Sequence, residues 1–332
     1  MHGRPRVKSD ASLTEAQKLE QKERRTKKAT LFGELCKRVL EAHASNTRDA
    51  ALLKMSEKLV AMNPEMYTVW NYRRAHLSSI LSLGGDEAVE TTAHELTVTE
   101  RALMQNPKSY ATFHHRKWVV SCGYCSLERE LALVETLLDV DERNFHGWGY
   151  RRAIVGMMGL DRNRELAYSR KKIEDNFSNY SAWHHRSVVL GIETDGDPEA
   201  VSTLLTTSMI EDEFQFVRQA CYTDPRDQSG WFYHRWLTGK LLHIDEDVIA
   251  TSEKTRILRQ ELEMCRGVHE LDTEAKWPVL IAKGLVSALQ CGRHGGDGDD
   301  EQATAWLDDK DAAWLEAMDP MRAGFYRDGV IL

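Results

Sequence analysis

Apolar positions along this chain fall on helical spacings. Leu127, Leu131, Val134 and Leu138 stand at i, i+4, i+7 and i+11, one stripe of an amphipathic helix. Short polar turns interrupt such stripes at recurring places. Asn63, Asn106, Asp141, Asn176, Asp224 and Glu270 end one stripe, and Pro64, Pro107 and Pro225 follow three of them, which is chemistry that stops a helix. Three residues on stand Met66, Ser109, Asn144, Asn179, Asp227 and Thr273. Five of these six are good N-cap residues, so a second helix is predicted to start at each. Strand-type alternation is nearly absent.

The second helix of each pair carries an aromatic one turn inside its start: Trp70, Phe113, Trp148, Trp183, Trp231 and Trp277. The intervals are 43, 35, 35, 48 and 46 residues. A unit of about 35 residues, lengthened in its loops, marks helical hairpins that bury their stripes only by stacking. The predicted fold is all-α: an α-α superhelix, a curved solenoid of hairpins forming one domain over residues 1–332. A basic helix over about 10–45 precedes the hairpins, a flexible acidic loop covers about 292–302, and a helical segment closes 303–332.

The aromatics are expected to fill the core between repeats. Arg73, Arg116, Arg151 and Arg186 follow three residues later on the same helix face, placed to stack on the aromatic or to pair with an acid of the neighbouring hairpin. The fifth repeat moves its arginine one place, to Arg235. Asn71, Tyr72, His114, His115, Tyr150, His184, His185 and Tyr233 decorate the same stretches. A solenoid's inner face is a binding surface, and these groups are the kind interfaces favour, so they are expected to face a partner chain.

Composition narrows the function classes. The 332 residues are 42% hydrophobic and 29% charged, a globular balance. No run approaches the roughly 18 apolar residues of a membrane span. A net charge of −8 argues against nucleic acid as the main partner. The first 28 residues hold nine Lys/Arg against four Asp/Glu and no apolar signal segment, so the six cysteines are expected to be reduced and the protein cytoplasmic. That basic arm reads as a solvated helix or as a recruiting tail.

Candidate chemistry is sparse. Cys122 and Cys125 form a single CxxC without the second pair of a zinc ribbon, so a turn is the plainer reading. His114–His115 and His184–His185 are adjacent residues on helices and point to different faces, which suits no chelate. Residues 292–302 lack the ligand pattern of a calcium loop. Lys108 stands just before the N-cap Ser109, beside free N–H groups at a helix start, where an anion such as phosphate binds; Tyr110 adds a hydroxyl. Arg143 and Arg226 hold the same place in other repeats, so simple surface charge is the competing reading.

The phrases NPKSYATFHHR, DERNFHGWGYRR, NFSNYSAWHHRS and DPRDQSGWFYHRW resemble the repeats of protein prenyltransferase α subunits, and look most like the type II, Rab-modifying branch. The opening MHGR and the late DPMRA at 319–323 look like that branch too, so the resemblance runs nearly the whole chain. Phe113 departs from the usual tryptophan. About forty residues part Gly239 from Trp277, so the immunoglobulin-like and leucine-rich domains that some members insert there are missing.

The resemblance implies a subunit active only as a heterodimer with a β subunit that binds zinc and isoprenoid. It implies transfer of geranylgeranyl groups from geranylgeranyl diphosphate to C-terminal cysteines of Rab GTPases presented by a Rab escort protein. It implies that Lys108 and Tyr110 reach the diphosphate at the subunit boundary. This chain itself is expected to supply no metal site, with His2 a speculative exception on a mobile terminus. The alternatives are the α subunit shared by farnesyltransferase and type I geranylgeranyltransferase, and a non-enzymatic tetratricopeptide-like scaffold.

Overall fold

The computed structural model describes residues 14–191, 206–291, 304–308 and 312–327, and among them there is no strand. His2, MHGR and the acidic stretch 292–302 lie outside the described residues. Helix α1 (Glu15–Ala44) opens on a capping box in which the Thr14 hydroxyl accepts from the Gln17 N–H and the Gln17 side chain from the Thr14 N–H. Its basic first half is exposed, and only Leu35, Val39 and Ala42 are buried.

Three hairpins follow α1: α2 (Ala50–Met62) with α3 (Tyr67–Leu83), α4 (Gly85–Gln105) with α5 (Tyr110–Ser121), and α6 (Leu127–Val140) with α7 (Phe145–Met158). They form a compact unit ending at Leu160. A second unit starts at Asp161. It contains α8 (Arg162–Asp175), α9 (Tyr180–Leu190), α10 (Thr207–Thr223), α11 (Gln228–His243), α12 (Thr251–Leu271) and α13 (Lys276–Cys291). Two short 3-10 turns, α14 (Ala312–Met318) and α15 (Ala323–Arg327) follow. There Asp319 accepts from Lys276, Arg322 and Tyr326, tying this segment to α13.

The turn chemistry explains the helix boundaries. Asn63, Asn106, Asp141, Asn176 and Asp224 are the C-caps. Three residues later Ser109, Asn144, Asn179 and Asp227 cap the next helix through their side chains, while Met66 holds that place without a side-chain bond. Each indole then closes its own turn: Trp70, Trp148, Trp183 and Trp231 donate Nε1–H to the carbonyl six residues back at 2.8–3.0 Å. Phe113 has no such donor, and the carbonyl of Pro107 instead accepts from Asn144 Nδ2 of the next hairpin at 2.8 Å. Gly147 permits the α6–α7 approach, because a Cβ there would meet Leu138 Cδ2 at 3.0 Å.

The sixth hairpin corrects the sequence register. Helix α12 runs through Glu270 and stops at Asp272, and α13 begins at Lys276, so Thr273 lies inside the turn. The place of the aromatic belongs to Val279, which is fully buried. Trp277, two residues earlier, packs edge-on against Phe232. Helix α12 is simply two residues longer than the spacing of the earlier tryptophans suggested.

Candidate functional site

The recurring arginines are spent inside the protein. Arg73 donates Nε–H to Glu95 Oε1 at 2.8 Å and grips its other oxygen, while Nη1 bonds the Leu53 carbonyl and Ser56 Oγ. Arg116 makes the same fork on Glu130 at 2.7 Å, with Nη1 on the Leu96 carbonyl and Thr99 Oγ1. In the second unit Arg186 forks Glu213 and bonds the Leu166 carbonyl and Ser169 Oγ. Each of these glutamates sits on the first helix of the hairpin after its arginine and receives a second partner from the second helix of its own hairpin. His115 Nε2 lies 2.7 Å from Glu95, Tyr150 Oη donates to Glu130 at 2.5 Å, and Tyr233 Oη to Glu213 at 2.6 Å. One buried carboxylate therefore stitches the last helices of two successive hairpins.

This arrangement corrects several expectations. Tyr72, His115, Tyr150, His185 and Tyr233 are buried and cannot present a face to a partner; Asn71, His114 and His184 are exposed. Adjacent helix positions diverge by about 100°, so one member of each His–His pair points inward. In the fifth repeat Arg235 is exposed, and His234 takes the buried place, 2.9 Å from Glu261 Oε2, with Arg218 of α10 as the second partner of that carboxylate. The glutamates had a signal that reading only the aromatic helices missed. Glu95, Glu130, Glu165 and Glu213 stand 18 residues before Phe113, Trp148, Trp183 and Trp231, and Glu261 stands 18 before Val279.

Burial alone would raise the Glu95 carboxyl, but the hydrogen bonds from His115 and Arg73 overcome it and pull it down to about 2. Burial likewise pushes the Tyr150 and Tyr233 hydroxyls up, reinforced by the glutamate each one faces, so both stay protonated donors.

The surface differs in kind. Tyr67, Tyr110 and Phe145 in the first unit, and Tyr180 in the second, hold the first position of their helices and are about half exposed, from 50% to 56%. Lys108 enters this setting from the turn before α5. Its ammonium lies 2.8 Å from Asp141 Oδ2, and its side chain is 39% exposed. Tyr110 stands edge-on to His146 at 4.0 Å between ring centres, and His146 is held below its usual range by burial, with Lys108 adding to the effect and Glu65 opposing it. The site thus draws on three successive turns: Glu65, Lys108 with Tyr110, and Asp141 with His146.

The Lys108–Asp141 contact is one rung of a ladder between turns. Glu65 accepts from Asn106 Nδ2 at 3.2 Å, and in the second unit Arg226 forks Asp272 and reaches Glu274. Arg226 is thereby matched by two carboxylates, and Gln228 replaces the aromatic beside it. Lys108 faces one carboxylate and has the exposed ring of Tyr110 two residues on. Cys122 and Cys125 are half-buried in the α5–α6 turn with thiols pushed up by burial, and no group of three or more His, Cys, Asp or Glu able to hold a metal occurs among the described residues.

Comparison with known proteins gives these features a context. The protein prenyltransferase alpha subunit repeat matches residues 50–75, 92–123, 127–158, 162–192 and 210–241. A geranylgeranyl transferase type-2 subunit alpha from Dictyostelium discoideum is 34% identical over 84% of this chain and 86% of its own length. The subunit alpha 1 from Arabidopsis thaliana is 46% identical over 76% of this chain, and the Rattus norvegicus subunit 33% over 72%. The chain spans only 36% and 42% of the length of those two relatives. Among solved structures, Candida albicans protein geranylgeranyltransferase-I complexed with GGPP contains a chain of the same fold, with a TM-score of 0.64, 19% identity and coverage of 90% and 89% of the two chains.

Proposed function

The chain belongs to the protein prenyltransferase alpha subunit family, and from that premise we propose that it is the α subunit of a type II, Rab-modifying geranylgeranyltransferase. It works with a β subunit that holds the zinc ion and the isoprenoid, and the pair transfers geranylgeranyl groups to C-terminal cysteines of Rab GTPases presented by a Rab escort protein. Among the described residues no ligand set fits the metal, and the chemistry they offer is that of charge and position.

The observation that carries the reading is the type-2 relative matched over most of its length. Within that reading, Lys108 and Tyr110 contact the diphosphate. An ammonium fixed beside the leaving oxygen stabilises charge that builds as the carbon–oxygen bond breaks. In the first unit the partly exposed Tyr67, Tyr110 and Phe145 at the helix starts, with Asn71 and His114 one turn on, offer a surface to the β subunit, and in the second unit Tyr180 with His184 one turn on does the same.

Acceptor choice tests the reading against the shared farnesyl and type I alternative. The chain is co-expressed with a type II and, separately, a type I β subunit, and each pair is offered a Rab GTPase with escort protein or a short peptide ending in a prenylation box. Transfer to Rab that requires escort protein is expected with the type II β subunit. Transfer to the free peptide, with none to Rab, would overturn the assignment.

A further inference from the structure

We propose that Asp141 is a positioning residue that competes with the diphosphate for Lys108 and so sets how readily the released diphosphate leaves. The inference rests on the reading of Lys108 given above and adds a residue to it.

The Asp141 carboxylate is fixed by its own turn before it meets the lysine. The Asp141 N–H donates to the Leu137 carbonyl as the C-cap of α6, and Oδ1 accepts from the Arg143 N–H at 3.3 Å. The other oxygen, Oδ2, holds Lys108 Nζ at 2.8 Å. An ammonium has three N–H donors, so this contact aims the lysine and leaves two donors for a ligand. Lys108 remains 39% exposed while Asp141 is 16% exposed, so an arriving anion approaches the lysine from solvent and meets the carboxylate behind it. The two negative groups then share one cation. No bond forms or breaks in this exchange; the diphosphate takes over part of the pairing on arrival and Asp141 regains it on departure.

The same ladder shows why replacing the charge is a clean experiment. Asn63, Asn106 and Asn176 hold the equivalent C-cap, so Asp141→Asn keeps the turn and, through Oδ1, the acceptor for the Arg143 N–H. The Oδ2 that holds Lys108 becomes an NH2 donor, so the competing charge and its contact are lost together while the backbone of the turn stays.

The test uses the co-expressed heterodimer and inorganic pyrophosphate as the probe. Asp141→Asn is expected to tighten inhibition by pyrophosphate roughly threefold to tenfold, the effect of one partly exposed charge. KM for the isoprenoid diphosphate and kcat should fall together, as expected when an anion is held more tightly before and after reaction. In a Lys108→Ala background the Asp141→Asn effect should vanish, because the two act through one contact. Unchanged pyrophosphate inhibition in Asp141→Asn, with Lys108→Ala weakening it, would overturn the inference and leave Lys108 in its role. Pyrophosphate inhibition and transfer rate both indifferent to Lys108→Ala would overturn the reading of Lys108 and this inference with it.

Discussion

Two residues with similar pairing chemistry carry opposite expectations. Lys108 is partly exposed, and under the proposed function its charge serves a ligand more than the fold. Lys108→Ala is expected to slow single-turnover transfer at saturating isoprenoid by about ten- to a thousand-fold, to weaken isoprenoid binding less, and to leave the heterodimer intact. Lys108→Arg should restore part of the rate, and Arg143→Ala and Arg226→Ala, at the same repeat position, should be milder. An unchanged rate for Lys108→Ala would return it to ordinary surface charge. Glu95 is buried, and removing it strands Arg73 and His115 in the core. Glu95→Ala should therefore cost roughly 3–5 kcal/mol in denaturant unfolding, against about 0–1 kcal/mol for Glu100→Ala on the exposed side of Arg116. Because the folded Glu95 carboxyl lies at about 2, below its ordinary value, its contribution is complete above about pH 4.5 and is lost as pH falls through about 2. Urea midpoints between pH 2 and 5 should thus slope more steeply in the wild type than in Glu95→Ala, and equal slopes would contradict the pairing. Lys108 was legible as a cation at a helix start, but Asp141 was not legible as its partner, because the contact spans two hairpins.

The hairpins were readable as elements because each carries its own punctuation. Asn and Asp stop one helix, Ser, Asn or Asp starts the next, and neither signal depends on tertiary packing. Where the cap is weakest the reading slipped: the turn at Asp272 has neither proline nor a side-chain N-cap, and Trp277 drew the register two residues early. What lay beyond local reading was the sharing of one glutamate by two hairpins, since it becomes visible only when the first helices are aligned with the second. Asn144 makes a local joint: its side chain caps α7 through the His146 and Gly147 N–H groups and also donates to the Pro107 carbonyl of the preceding turn. Asn144→Ala removes both and should cost about 2–3 kcal/mol, while Asn144→Asp keeps the cap and loses only the donor, for about 1 kcal/mol. Equal losses in the two variants would show that the inter-turn bond, not the cap, holds this joint.

For the molecule as a whole, the all-α repeat fold was legible from the period of the aromatics, and the family from the phrases around them. The division of labour within those phrases was not. Burial takes Tyr72, His115, Tyr150, His185 and Tyr233 inward and leaves Tyr67, Tyr110 and Phe145 of the first unit, and Tyr180 of the second, about half exposed. Under the proposed function the β subunit covers these rings. The most direct test is geranylgeranyl transfer to a Rab GTPase with escort protein, measured for this chain alone, a type II β subunit alone, and the co-purified pair. Transfer is expected from the pair and from neither chain separately. Transfer by the β subunit alone at the rate of the pair, or failure of the two chains to co-purify, would contradict the proposed function.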